Sequence, residues 1–178
     1  MEETQKPKKS LLAEFAESII LAVILALIIR LFIIEPFYIP SESMEPTLSV
    51  GDRIIVSKFT YKIGESLPHR GDVIVFRFPL DTSRNFVKRV VALGGETLTV
   101  RDSRLYIDGN YVPEGYLPEG LEFDDYGPVR VPEGTLWVMG DNRNDSDDSR
   151  RWGALDEDLI VGKSILIYWP LDRMDMLH

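Results

Sequence analysis

With 178 residues the chain is long enough for one modest domain, a real hydrophobic core and an appendage, and too short for a multidomain machine. A net charge of −9, with no Lys/Arg stripe beyond the first ten residues, argues against a nucleic-acid partner, because phosphate binding needs a basic surface. The absence of cysteine excludes a disulfide framework, a Cys-ligated zinc site and a thiol nucleophile.

In chain order, Met1 to Ser10 are polar, with Lys6, Lys8, Lys9 and a proline, and read as a disordered tail. Ile19 to Ile29 contains no polar residue, and the apolar run resumes past Arg30 as far as Ile34. The 17 residues from Ser18 to Ile34 reach the lower limit of a membrane-spanning helix, and Ala13 to Ala16 can extend it. A cleavable leader would end in small residues at an A-x-A-like site, whereas this run exits into Glu35-Pro36-Phe37-Tyr38-Ile39, so the segment is expected to stay as an anchor. A helix apolar on every face belongs in lipid rather than in the core of so small a domain. Lysines precede the run and are scarce just after it, which puts the N-terminus in the cytoplasm and the remaining chain outside. The expected layout is a cytoplasmic tail over 1–17, a transmembrane anchor over 18–36 and an extracytoplasmic domain over 37–178.

From Gly51 onward the pattern is that of strands. Arg53 to Phe59, Asp72 to Phe78, Phe86 to Ala92 and Glu96 to Arg101 are short runs rich in Val, Ile, Phe and Thr, bounded by Gly, Pro and Asp. Leu105 to Val112 reads as a hairpin, since its Asp108-Gly109 supplies the positive φ values of a tight type I′ turn. Pro113 to Pro132, dominated by proline, glycine and acidic residues, reads as a loop-rich excursion, and Thr135 to Met139 and Ile160 to Trp169 as further strands. The expected fold class is mostly β: an antiparallel, folded or barrel-like sheet behind an N-terminal helix.

Three stretches carry candidate chemistry. In Ile39 to Leu48, Pro40 and Pro46 fix φ and remove two backbone donors, so a shaped loop is expected, with Ser41 and Ser43 either as turn residues or as reactive hydroxyls. In Phe86 to Glu96, strand alternation puts Lys88 with Phe86 and Val90 on one face and Arg89 on the other, so one cation keeps apolar company. Lys88 either reaches water at a strand edge or is held neutral by burial, which requires its pKa to fall by about 2 to 3 units. A neutral amine is a competent general base, and His69, in a turn, and His178, the last residue, are poor candidates for a Ser-His-Asp triad. Lys88 is then the base best suited to activate Ser43, with Ser41 as a donor to the oxyanion. The third stretch, Gly140 to Arg150, is a polar loop. Its Asp145, Asp147 and Ser149, with Asp156, mimic the spacing of a calcium loop, but Arg150 replaces the glycine that such a loop requires.

In this order, behind an apolar anchor, the three stretches resemble the boxes of bacterial type I signal peptidases, the Ser/Lys proteases that release secreted proteins from their signal peptides. The resemblance implies that Ser43, followed by Met44, is the nucleophile, that Lys88 is the general base, and that Ser41 and Ser43 form the oxyanion hole. It implies that Ser146 hydrogen-bonds the lysine and that Asp141, Asn142, Asp148 and Arg150 hold the loop and site together. Asp145 departs from the family pattern, in which asparagine is usual. Phe37, Ile39, Met44, Leu48 and Val87 are the implied walls of two shallow pockets that read A-x-A. No metal or cofactor is implied. The implied partners are signal peptides of secreted preproteins and the phospholipid bilayer, with the protein translocation channel as a further expectation, at the outer face of a bacterial cytoplasmic membrane crossed once. An inserted β subdomain would be small, at about 96–133. Two rivals stay open: a self-cleaving Ser/Lys repressor-type protein, which should carry a DNA-binding head where this chain has an apolar helix, and an inert anchored β domain that binds partners.

Overall fold

The computed structural model describes residues 11–61 and 67–177; the tail expected over Met1–Ser10 lies outside them. Helix α1 (Leu11–Phe32) begins well before Ser18, because Leu11, Leu12, Ala13 and Phe15 continue the apolar, helix-favouring composition. Its 22 residues span about 33 Å at 1.5 Å per residue, enough for the hydrocarbon core of a bilayer. From Glu14 to Phe32 the mean hydropathy is 2.5 and none of the window is buried by the protein. The helix is therefore apolar all round, with none of the described residues covering it.

Directly after the helix the chain enters β1 (Ile34–Tyr38), which pairs with β2 (Arg53–Ser57). Then follow β3 (Val73–Phe78), β4 (Asp81–Ala92), β5 (Thr97–Arg101), β6 (Arg104–Ile107), β7 (Asn110–Val112), β8 (Tyr126–Arg130) and β9 (Thr135–Met139). The short helix α2 (Ser149–Trp152), β10 (Leu155–Asp156), β11 (Ile160–Trp169) and β12 (Asp175–Met176) complete the chain. The large sheet has the order β1-β2-β11-β3-β4-β9-β10, with β12 also on β11, and the pairings are antiparallel. Its order is open, with no pairing between β1 and β10. A second sheet, β7-β6-β5-β8, lies within residues 97–130.

β3 is buried on both faces, and its alternation distributes the core. Val73 and Val75 join Ile39, Met44, Leu48, Ile54, Val56 and Ile167, while Ile74 and Phe76 join Val90, Leu136, Val138 and Leu155. A third cluster, in which Val91, Ala92, Trp137 and Met139 meet Leu98, Val100, Leu105 and Ile107, fastens the small sheet to the large one. Asp108 and Gly109 at φ 50° and 80° make the expected turn of the β6–β7 hairpin. β1 and β8 are strands where the sequence suggests none. Both are edge strands carrying a proline, Pro36 and Pro128, and an edge tolerates the missing N–H that a central strand would not.

Candidate active site

β4 positions the lysine. Its residues Asp81–Asn85 are exposed, Phe86 and Val87 are half-buried, and Lys88–Ala92 are buried. β3 pairs with the strand from Asp81 to Arg89, whereas β9 pairs with it only from Arg89 onward. Lys88 is thus the last buried residue before one edge of β4 becomes free.

The Lys88 side chain is 3% exposed, with Nζ 2.7 Å from Ser43 Oγ and 3.0 Å from Val87 O. Desolvation lowers its pKa from 10.5 to about 8, against the opposing charges of Asp148, Asp147 and Asp141. At pH near neutrality a useful fraction of the amine is therefore uncharged and able to accept a proton from the serine hydroxyl that touches it.

Ser43 is presented by the loop expected from the prolines. Glu45 N donates to Glu42 O at 3.0 Å and Leu48 N to Met44 O at 2.9 Å, so the loop is a succession of tight turns. These turns drive Met44 and Leu48, 1% and 0% exposed, into the core beneath them and leave Ser43 half-buried at the surface. Ser41 is exposed, its hydroxyl 3.3 Å from Ser43 Oγ.

Behind the Ser43–Lys88 contact, Arg89 turns to the opposite face from Lys88 and ties three segments together. Its Nε and Nη2 donate to the two Asp141 oxygens at 2.9 and 2.6 Å, Nη2 also to Thr47 Oγ1 at 3.2 Å, and Nη1 to Gly71 O at 2.7 Å. Thr47 in turn donates to Asp141 Oδ2 at 2.6 Å. The serine loop, β4 and the 140–150 loop are fixed to one another through this buried ion pair. Asn142 closes a second seam, its backbone N–H donating to Ser43 O at 3.2 Å and its side-chain amide to Glu42 O at 3.3 Å.

Asp148 organises the polar loop from inside. It accepts Gly140 N at 3.0 Å and the Arg150 Nε and Nη2 groups at 2.9 and 2.8 Å, and caps α2 through Arg150 N. Burial alone would raise its pKa, but Arg150 and the Gly140 N–H outweigh it and keep the carboxylate below its ordinary range. Ser149, the third oxygen of the calcium-like alternation, instead accepts Val138 N at 3.0 Å. Among the described residues no three His, Asp or Glu side chains gather as a metal-ligand set.

Ser146 is 6% exposed and its Oγ makes no hydrogen bond, so none joins it to Lys88 in this arrangement, although it lies close enough to Asp148 to favour that carboxylate's charge. The hydroxyl presses on Gly140, where an added Cβ would collide with Ser146 Oγ and Ser43 O. Only glycine lets the end of β9 approach the serine loop this closely. A cleft of about 580 Å³ runs past Ser43 and Lys88, with Phe37, Ile39, Met44 and Val87 in its walls, Arg84 beside the free stretch of β4, and Asp145 and Asp147 on the loop side. Leu48 does not line it, because the turn from Met44 points Leu48 inward.

His69 stands 73% exposed beside Asp72, whose other oxygen holds Lys163 at 2.6 Å, and Gly71 at φ 95° makes the expected turn into β3. Sequence reasoning passed over Arg89, Thr47 and Gly140. The signal for Arg89 lies in the alternation itself, since an arginine driven to the inward face of a strand needs a carboxylate, and Asp141 is among the residues that the sequence singles out.

Residues 12–169 match the family described as signal peptidase, peptidase S26. A probable signal peptidase I-1 of Synechocystis sp. is 42% identical over 166 residues, covering 89% of this chain and 83% of the relative. Signal peptidase I T of Bacillus subtilis is 40% identical over 184 residues, covering 97% and 93%. A crystal structure of a signal peptidase I from Enterococcus faecalis covers 55% of this chain and 97% of its own, at 32% identity and a TM-score of 0.49. The family match spans the serine loop, β4 and the polar loop together, and the chain belongs to the signal peptidase family, peptidase S26.

Proposed function

We propose that this chain is a membrane-anchored signal peptidase in which Ser43 and Lys88 form the dyad that cuts signal peptides from secreted preproteins after A-x-A-like sites. The observation that carries the reading is the 2.7 Å contact between Ser43 Oγ and a buried lysine whose pKa is lowered to about 8. Neutral Lys88 takes the Ser43 proton as Oγ attacks the scissile carbonyl, and the ammonium so formed gives the proton to the leaving amine. The Ser43 N–H and the Ser41 hydroxyl receive the negative oxygen of the tetrahedral intermediate. Lys88 then deprotonates the water that releases the acyl group, restoring the serine. Ser146, whose hydroxyl holds no other partner, would turn to Lys88 when substrate is bound, and Asp141, Asn142, Asp148 and Arg150 hold the loop that carries it.

A substrate strand laid along the free edge of β4 would present alternate side chains to the cleft, where Phe37, Ile39, Met44 and Val87 leave room for small residues. Helix α1 serves as the anchor, with the N-terminus in the cytoplasm and the β domain outside a bacterial cytoplasmic membrane, where the protein translocation channel would deliver substrate. Protein purified in detergent is expected to cut a preprotein bearing an A-x-A signal peptide with a chelator present, and Ser43→Ala and Lys88→Ala are each expected to lose at least ~10²-fold in kcat. Cleavage that survives Ser43→Ala would sink the dyad.

A further inference from the structure

Pro113–Asp125 forms no regular structure, and such segments ordinarily lie on the surface with their polar side chains in water. Two of its residues do the opposite. Glu114 is 7% exposed and gives both carboxylate oxygens to Arg143, at 2.6 and 2.8 Å, whose own side chain is fully buried. Arg143 Nε in turn donates to Gly140 O at 3.1 Å, at the glycine against which Ser43 O and Ser146 Oγ are pressed. Tyr116 donates its hydroxyl to Glu114, and its ring lies 3.8 Å from the Arg89 guanidinium carbon, closing off the arginine that directly follows Lys88. A turn from Glu114 O to Leu117 N at 3.0 Å fixes the spacing of the two residues.

The two buried arginines behind the dyad are thus completed by one corner of the inserted segment. Neither Glu114 nor Tyr116 belongs to the apolar cluster that holds the small sheet, which takes Leu117, Leu121 and Phe123 from the same segment instead. Their partners lie on β4 and on the loop after β9. A buried guanidinium that loses its partner shifts or admits water, and a shift at Arg89 or Gly140 moves Lys88 or Ser43.

Resting on the Ser43/Lys88 reading, we propose that Glu114 and Tyr116 are positioning residues of the catalytic site, through which the inserted segment holds the arginines that set Lys88 against Ser43. The charged groups around Lys88 are Asp141, Asp147 and Asp148 on the loop, Glu42 on the serine loop, Asp145 and Arg84 in the cleft, and Arg89 behind it.

The test compares Tyr116→Ala, Tyr116→Phe and Glu114→Gln with Ile107→Val, a mild change inside the small sheet. Each is assayed for kcat, KM, the pH–kcat profile, thermal midpoint and, in protein labelled with ¹⁵N-lysine, the titration of Lys88 Nζ. Tyr116→Ala and Glu114→Gln are expected to lower kcat about tenfold or more below their melting temperatures with KM within about twofold. A Lys88 shifted out of its dry position should also have its pKa raised toward its ordinary value, moving the rising limb of the profile to higher pH. Tyr116→Phe, which keeps the ring on Arg89, should restore most of kcat, and Ile107→Val should leave both kcat and the titration unchanged. An unmoved Lys88 titration, or a loss of kcat matched by Ile107→Val at equal loss of stability, would overturn the proposal. Failure of the wild type to cleave would instead strike the dyad reading, while the Lys88 titration would still decide whether Glu114 and Tyr116 position that side chain.

Discussion

The two halves of β4 have nearly the same secondary structure and opposite surroundings. From Lys88 to Ala92 the strand is buried where its pairing passes from β3 to β9 at Arg89, and from Asp81 to Asn85 it is exposed with one edge unpaired. The inner half supplies rigidity and a low dielectric, and the outer half supplies open hydrogen-bonding edge. Lys88 lies at the join, where it is dry enough to lose its proton near neutral pH and still within reach of Ser43. A lysine from Asn85 outward would be solvated, and one two residues inward of Lys88 would lie beyond the cleft.

The comparison can be broken hardest from the inner side. Removing one partner of the buried Arg89–Asp141 pair, in Arg89→Ala or Asp141→Ala, is expected to cost about 3–5 kcal/mol of unfolding free energy, because the other charge stays buried and unpaired. Urea unfolding measures it, and the double variant should cost clearly less than the sum of the two.

Lys88 itself imposes a penalty on the folded state. Its pKa is about 8 in the folded protein against 10.5 for a lysine in water, so between those values the unfolded chain holds a proton that the folded chain has released. This contribution to stability therefore rises as pH increases from about 8 to 10.5, and the cost is fully present below pH 8, at about 3 kcal/mol from 1.36 kcal/mol per unit. Lys88→Met should remove that slope and be the more stable protein at pH 7 while losing activity. A wild-type curve no steeper than that of Lys88→Met across this window would show that the inner half of β4 is wetter than its burial implies.

At the join, Gly140→Ala adds a methyl group against Ser43 O and Ser146 Oγ. A loss of about 1–3 kcal/mol is expected, with a larger fall in kcat than in stability, since the serine loop is what must yield. In the outer half, Arg84→Ala removes a guanidinium stacked 5.2 Å from the Phe86 ring centre at the cleft wall. It should change stability by about 0.5 kcal/mol or less and act mainly on KM for preprotein, which cleavage assays over a range of substrate concentrations would measure.

Much of this site is legible in the sequence. The prolines around Ser41 and Ser43 require a shaped loop, and alternation in β4 separates Lys88 from Arg89, as the structure has them. The apolar run of α1 is legible too, though its start is blurred because Leu11 and Phe15 sit among charged residues. The strands β1 and β8 are not, because Pro36 and Pro128 read as breaks until the sheet order shows that both strands lie at edges. Nor is the inward role of Glu114 and Tyr116, since an acidic, glycine- and proline-rich stretch has the composition of a solvated loop whatever its few inward side chains do.

The sequence by itself determined the residue types and their local geometry: a helix apolar on every face, a proline-bounded serine turn, alternating strands and a loop dense in carboxylates. Local rules suffice there, because period, proline φ and turn propensity act within a few residues. Tertiary structure alone decided which charges are dry and which of them meet. Lys88 and Ser43 are 45 residues apart, Arg89 and Asp141 52, and Arg143 and Glu114 29, and what joins each pair is the order of strands in the sheet and the water that packing excludes. Desolvation is a property of the assembled fold, and the chemistry of this lysine depends on it.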